Sequence, residues 1–199
     1  MLTGGPGAGK TAILEVIRHF FCSHMRVLPE AAGIVFGGGF PRGGGPEHRK
    51  ASQRAIFYIQ REMERMAEHD APAILICDRG TVDGAAYWPR PEGDGDGDDL
   101  WSSVGTTLEE QIRRYDAVIH LRTPAAANGY NHENPLRIES AAEAVEADRK
   151  IAEAWSSHPR RTVIEATPDF LSKAAQAVDA LRAEMPECCR RHVVPLLRP

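Results

Sequence analysis

Gly4-Gly5-Pro6-Gly7-Ala8-Gly9-Lys10-Thr11 fits the phosphate-loop pattern G-x-x-x-x-G-K-[ST] at every fixed position. Small residues at this spacing let successive backbone N–H groups turn inward around a polyphosphate with no Cβ atoms in the way. The helix that follows points its positive N-terminal end at the same phosphates. Lys10 is placed to put an ammonium on the β/γ oxygens, and the Thr11 hydroxyl to ligate Mg²⁺. The competing reading is a glycine turn that ends in Lys-Thr by chance. Ala12, Ile13, Leu14, Val16 and Ile17 argue against it, because they form an apolar helical stripe directly behind the loop. The stretch therefore predicts nucleoside triphosphate binding.

Only Met1, Leu2 and Thr3 precede the loop, where a buried strand is expected. Either the first strand is very short or the natural start lies upstream. A short strand anchors the centre of a sheet poorly and predicts reduced stability.

Working outward, residues 10–21 read as the helix behind the loop and residues 25–29 as a strand that ends at Glu30. Glycines at 37–39 and 43–45 predict an irregular segment. Residues 47–68 predict a long helix with Ala51, Ala55, Ile59, Met63 and Met66 on one face. Residues 73–77 and 117–121 are unbroken apolar runs, as expected of strands buried on both faces of a parallel sheet. Helices are predicted at 84–88, 107–114, 141–155 and 168–183, with a last strand at 162–165. Strands alternating with helices imply α/β architecture with a mostly parallel sheet and right-handed crossovers. A ligand is then expected at the carboxyl ends of the strands.

The chain has 199 residues and a formal charge of −4. That length suits one nucleotide-binding domain over 1–185 with a tail at 186–199. Mixed charge argues against a nucleic-acid partner. The sequence shows no cleavable leader and no apolar run long enough to span a membrane, which makes a cytoplasmic protein the expectation. Cys22, Cys77, Cys188 and Cys189 read as free thiols, because the adjacent pair lacks zinc-site spacing.

Asp78 ends an apolar strand, where a carboxylate can hold Mg²⁺ beside Thr11. Arg79 follows it and can bind an acceptor or a phosphate. Glu30 is a candidate general base, or an orienting group, for an acceptor hydroxyl. Gln53 and Gln60, on the polar side of the following helix, read as surface residues rather than as lining of the same pocket. Residues 122–140 are a candidate lid whose arginine, Arg137 first and Arg149 second, neutralises charge on the transferring group. Arg122 belongs to the same strand-end cluster. Asp94-Gly95-Asp96-Gly97-Asp98-Asp99 suggests calcium, but the sixth and twelfth places from Asp94 hold Asp99 and Gly105 rather than Gly and Glu. A solvated acidic loop is the better reading.

Four segments in order carry a resemblance: residues 4–11, Leu28-Pro29-Glu30-Ala31-Ala32, Asp78-Arg79-Gly80 with Asp83 and Ala86-Tyr87, and Asn134-Pro135-Leu136-Arg137. With them the chain resembles the single-domain ATP-binding proteins described as predicted AAA-family ATPases. It is also similar to the ribosylnicotinamide-kinase domain of NadR proteins and to the nucleotide-binding domain of TRPL-translocation-defect proteins. The resemblance implies a three-layer P-loop NTPase fold of the nucleoside- and nucleotide-kinase type. It implies Mg-ATP or Mg-GTP as ligand, with the base on the loop containing Thr167. The guanine-reading N-K-x-D pattern is absent, which favours ATP. A ring-forming AAA+ motor also needs a helical lid domain and a trans arginine finger, for which this length leaves no room. A small-molecule kinase is the leading expectation. A regulatory nucleotide-binding module and an acceptor-independent NTPase are the alternatives, with a protein partner or a homodimer left open.

Overall fold

The computed structural model describes residues 1–89, 98–124, 140–167 and 169–191. The apolar runs become the short strands β1 (Leu2–Thr3), β2 (Met25–Leu28), β3 (Ile74–Cys77), β4 (Val118–Leu121) and β5 (Arg161–Ile164). β1 runs parallel to β4, β4 to β5, and β2 to β3. A parallel bridge from Leu2 to Asp78, with the Arg79 N–H donating to Leu2 O at 2.9 Å, joins the two groups. The order across the sheet is therefore β2-β3-β1-β4-β5.

Helices cover both faces because each parallel crossover must return over the sheet. α1 (Lys10–Phe20) and α8 (Phe170–Glu184) bury Ile13, Leu14, Ile17, Ala174 and Ala177 against Ile76, Ile119, Leu121 and Ile164. On the other face, Ala67 of α3 (Pro46–His69), Ile151 of α7 (Ala141–Ala154) and Trp155 pack with Leu28, Cys77, Val82 and Val118. This is the expected three-layer, parallel α/β arrangement.

Several details differ from the sequence reading. A helix α2 (Ala31–Gly37) precedes the glycine-rich segment, with Ala31 and Val35 buried. After the short α4 (Gly84–Tyr87), a further helix, α5 (Leu100–Val104), comes before α6 (Leu108–Ile112). The tail begins with a single helical turn, α9 (Glu187–Arg190). The buried stripe of α3 is Ser52, Gln53, Phe57, Gln60, Glu64 and Ala67, whereas Met66 is 59% exposed. Apolar periodicity pointed to the neighbouring face because much of the buried stripe is polar. Glu64, for instance, accepts from Tyr115 Oη at 2.7 Å and pairs with Arg114. β1 is as short as expected. Beneath it lies an open pocket of about 390 Å³, lined by Ile13, Ile17, Ile76 and Ile119 together with the charged Glu64, Arg114 and Glu184.

Candidate nucleotide site

The loop leaves β1 with Gly4 at φ +138°, where a Cβ would stand 2.0 Å from Leu121 O; only glycine fits. Gly9, at φ +92°, caps α1, so the chain turns at once from loop to helix and leaves the helix's first N–H groups facing the cleft. Lys10 Nζ donates to Gly4 O at 2.8 Å and Gly5 O at 3.0 Å. Its burial, and next the nearby charge of Arg79, draw its pKa down to about 8.

The ends of β2 and β3 supply a dense ionic cluster. Arg79 adopts φ +69°, a conformation costly for a non-glycine residue and held by its surroundings. Its guanidinium donates to Glu30 at 2.7 Å and Asp83 at 3.2 Å and stacks over Tyr87. Asp83 is itself buried and accepts from Thr3 Oγ1, Gly80 N–H and Trp155 Nε1. Burial works against ionisation of Glu30, but the Arg79 and Lys10 charges outweigh it and hold the carboxyl below its usual range. Asp78 behaves in the opposite way: burial raises its pKa. Its Oδ1 is buried with no hydrogen-bond partner among the described residues. An orphaned buried carboxylate oxygen suits a divalent cation, and Thr11 is exposed on the cleft wall.

A second carboxylate holds the loop from behind. Asp148 of α7 accepts the Gly5 N–H at 2.9 Å, lies 2.9 Å from His120 Nε2, and pairs with Arg122 at 3.0 Å. Lys173 of α8 donates to Ala8 O at 2.9 Å and Arg122 O at 2.6 Å, and burial draws its pKa down to about 8. Thr123 Oγ1 donates to Pro6 O at 3.1 Å. Both faces of the sheet thus brace the loop.

A family model described as AAA domain matches residues 1–172. The chain belongs to this family. No curated protein matches it. An AAA-type P-loop domain is a nucleotide-binding domain, typically with Mg²⁺, and this chain carries that loop.

In this AAA domain, residues 6–11, Glu30 and Arg79 all line one cleft of about 1710 Å³. Gln53 and Gln60, 8% and 2% exposed, also line it. Arg122 instead braces Asp148. Arg149 lies along α7 between Glu146 and Glu153, and it is Lys150 of the same helix that faces the cleft. Thr167 Oγ1 donates to Asp169 O at 2.7 Å in the turn before α8. Arg137, most of the expected lid and Asp94 to Gly97 lie outside the described residues. Of the acidic run, Asp98 pairs with Lys50 at 2.7 Å and Asp99 caps α5. Among the described residues, no helix is long and apolar enough to cross a membrane.

Sequence reading missed Asp148, Lys173 and Phe170. The first two carried a legible signal, since Asp148 shares a helical stripe with Ala144 and Ile151, and Lys173 sits beside buried Ala174. Phe170 did not: its ring packs on Gly9, close enough that a Cβ there would meet it at 2.9 Å, yet the residue is 41% exposed.

Proposed function

We propose that this AAA domain is a small-molecule kinase that transfers the γ-phosphate of Mg-ATP to an acceptor hydroxyl. The carrying observation is the cleft itself, which continues from the phosphate loop past the Glu30–Arg79 pair to Phe36, Arg42, Gln53, Gln60 and Tyr87. A polyphosphate needs only the loop end of such a space. Ser52 Oγ, which lines the far part, is buried without a hydrogen-bond partner among the described residues, as an acceptor contact would leave it. The resemblance to ribosylnicotinamide-kinase domains supports the same reading.

In this scheme residues 4–9 cradle the phosphates, and Lys10 swings from the loop carbonyls to the β/γ oxygens. Asp78 and Thr11 would hold Mg²⁺, which supplies neutralisation of phosphate charge. Glu30, tied to Arg79 and low in pKa, suits orienting an acceptor hydroxyl better than stripping its proton. That is adequate where the transition state is loose and demands little of a base. Arg79 fixes Glu30, and Arg137 is the arginine we assign to neutralising charge on the transferring phosphate. The GTP alternative stays secondary without a guanine-reading motif.

The test is ADP formation from Mg-ATP with a panel of nucleosides and ribosides, with the Lys10→Ala chain as blank. Acceptor-dependent formation of ADP is expected, and Glu30→Gln is expected to lower it about a hundredfold through misplacement of the acceptor while ATP binding stays intact. Tight nucleotide binding with no turnover for any acceptor favours the regulatory module instead. The commitment of Glu30 to Arg79 is the observation on that side.

The exposed ring of Phe170 on the loop–helix junction, beside the turn with Thr167, is placed to carry the base. Phe170→Ala is expected to weaken ATP binding about tenfold through lost stacking. Inorganic tripolyphosphate, which has no base, is expected to bind the variant and the parent equally in calorimetric titration.

A further inference from the structure

At the opposite end of α1 from the phosphate loop, three metal-ligating side chains meet. Cys22 Sγ lies 3.1 Å from Cys189 Sγ and 3.4 Å from His24 Nδ1, and the donor atoms of the trio all lie within 4.8 Å of one another. We propose that Cys22, His24 and Cys189 bind a zinc-class divalent cation, which fastens the C-terminal turn α9 to the α1–β2 connection.

The geometry fits a tetrahedral thiolate–imidazole site. Zinc–ligand bond lengths set the sulfur–sulfur edge at roughly 3.8 Å and the sulfur–nitrogen edge at roughly 3.6 Å. The two separations from Cys22 are a little shorter than these edges, and the Cys189–His24 separation lies within 4.8 Å, so small side-chain adjustments bring the three donors to tetrahedral spacing. The backbone presents the donors together. The Met25 N–H donates to Cys22 O at 3.1 Å, closing a tight turn, and His24 O accepts from Ile74 N–H at 3.2 Å, anchoring the turn to β3. Cys189 is fully buried in the core cluster shared by α1 and α8, so one ligand is rigid, while Cys22 and His24 lie nearer the surface and adjust.

Two thiols and an imidazole select zinc-like ions over magnesium or calcium, which prefer oxygen donors. The site is therefore distinct in chemistry from Asp78 and Thr11. It is also distant, because the 11-residue α1 spans roughly 16 Å. Three protein ligands leave a fourth position for water. A disulfide between the same sulfurs would need an oxidant and would give His24 no role. Adjacent cysteines lack a zinc spacing by themselves; the partners of Cys189 come from the other end of the chain, 167 residues away in the case of Cys22.

The full chain, kept reduced, is titrated with Zn²⁺ and separately with Co²⁺, which reports thiolate ligation by its charge-transfer absorption. One equivalent is expected, with a rise in unfolding temperature on Zn²⁺ addition. Cys22→Ser and His24→Gln, both at accessible positions, are expected to weaken uptake tenfold or more and to remove or shift the cobalt band. Lys10→Ala is expected to leave uptake unchanged. The proposal is overturned if the reduced chain takes up no zinc, if uptake is indifferent to both Cys22→Ser and His24→Gln, or if Cys22 and Cys189 are recovered only as a disulfide whose reduction restores no metal binding. Retained ATP binding by Cys22→Ser and His24→Gln shows that both are folded, and a cooperative unfolding transition shows it for Lys10→Ala.

Discussion

A Lys10→Met chain is expected to be more stable than the parent and to have lost its hold on nucleotide. Lys10 is 7% exposed, and its ordinary pKa of 10.5 falls to about 8 in the folded chain. Keeping it charged at neutral pH therefore costs about 3 kcal/mol relative to the unfolded chain. The bonds to Gly4 O and Gly5 O return part of this, so the net gain for methionine is expected at about 1 kcal/mol. The sign with pH follows from a cation whose folded pKa is depressed: the penalty is full below about pH 8 and fades as pH rises from about 8 towards 10.5. Urea denaturation of both chains at pH 7 and pH 10 should show the advantage shrinking at the higher pH. Bound phosphates select the charged lysine, so the parent's nucleotide affinity should be flat below pH 8 and about tenfold weaker at pH 9. Calorimetric titration at pH 7 and pH 9 measures this, with proton uptake on binding at the higher pH. A destabilised Lys10→Met chain would mean that the loop hydrogen bonds outweigh the buried charge.

Asp148→Ala is expected to be among the most damaging single changes outside the cleft. Asp148 is 1% exposed and joins the Gly5 N–H, His120 and Arg122. Its removal leaves a buried amide and a buried imidazole without their shared acceptor, at a cost of about 3–5 kcal/mol. It also releases Gly5, so nucleotide affinity should fall along with stability. Asp148→Asn keeps the shape and one acceptor oxygen, and about half the loss is expected. Burial opposes ionisation of the Asp148 carboxyl, but hydrogen bonds from His120 and Gly5 and the charges of His120 and Arg122 hold it below 3.8. Its contribution is thus complete above that value and lost as pH falls further. Parent and Asp148→Ala chains should differ in urea midpoint at pH 7 and draw closer as pH falls below 3.8. Equal midpoints at pH 7 would remove Asp148 as the brace of the loop.

The phosphate loop, the strand-end acids and the alternation of strand and helix were legible in the sequence because each is local. A glycine pattern fixes backbone freedom, an apolar run signals burial, and the strand ends follow from the runs. The parallel α/β fold and the meeting of Lys10, Glu30 and Arg79 on one cleft follow from that local information and the handedness of crossovers. What tertiary structure decided is which charges are committed to one another. Arg79 is tied to Glu30 and Asp83, Arg122 to Asp148, and Arg149 to its own helix neighbours. Equal-looking arginines thus have different neighbours. Likewise, only packing brings Cys189 to Cys22 and Phe170 onto Gly9. Pairings between residues far apart in the chain leave no periodic trace, because they depend on how elements are placed rather than on what each element is made of.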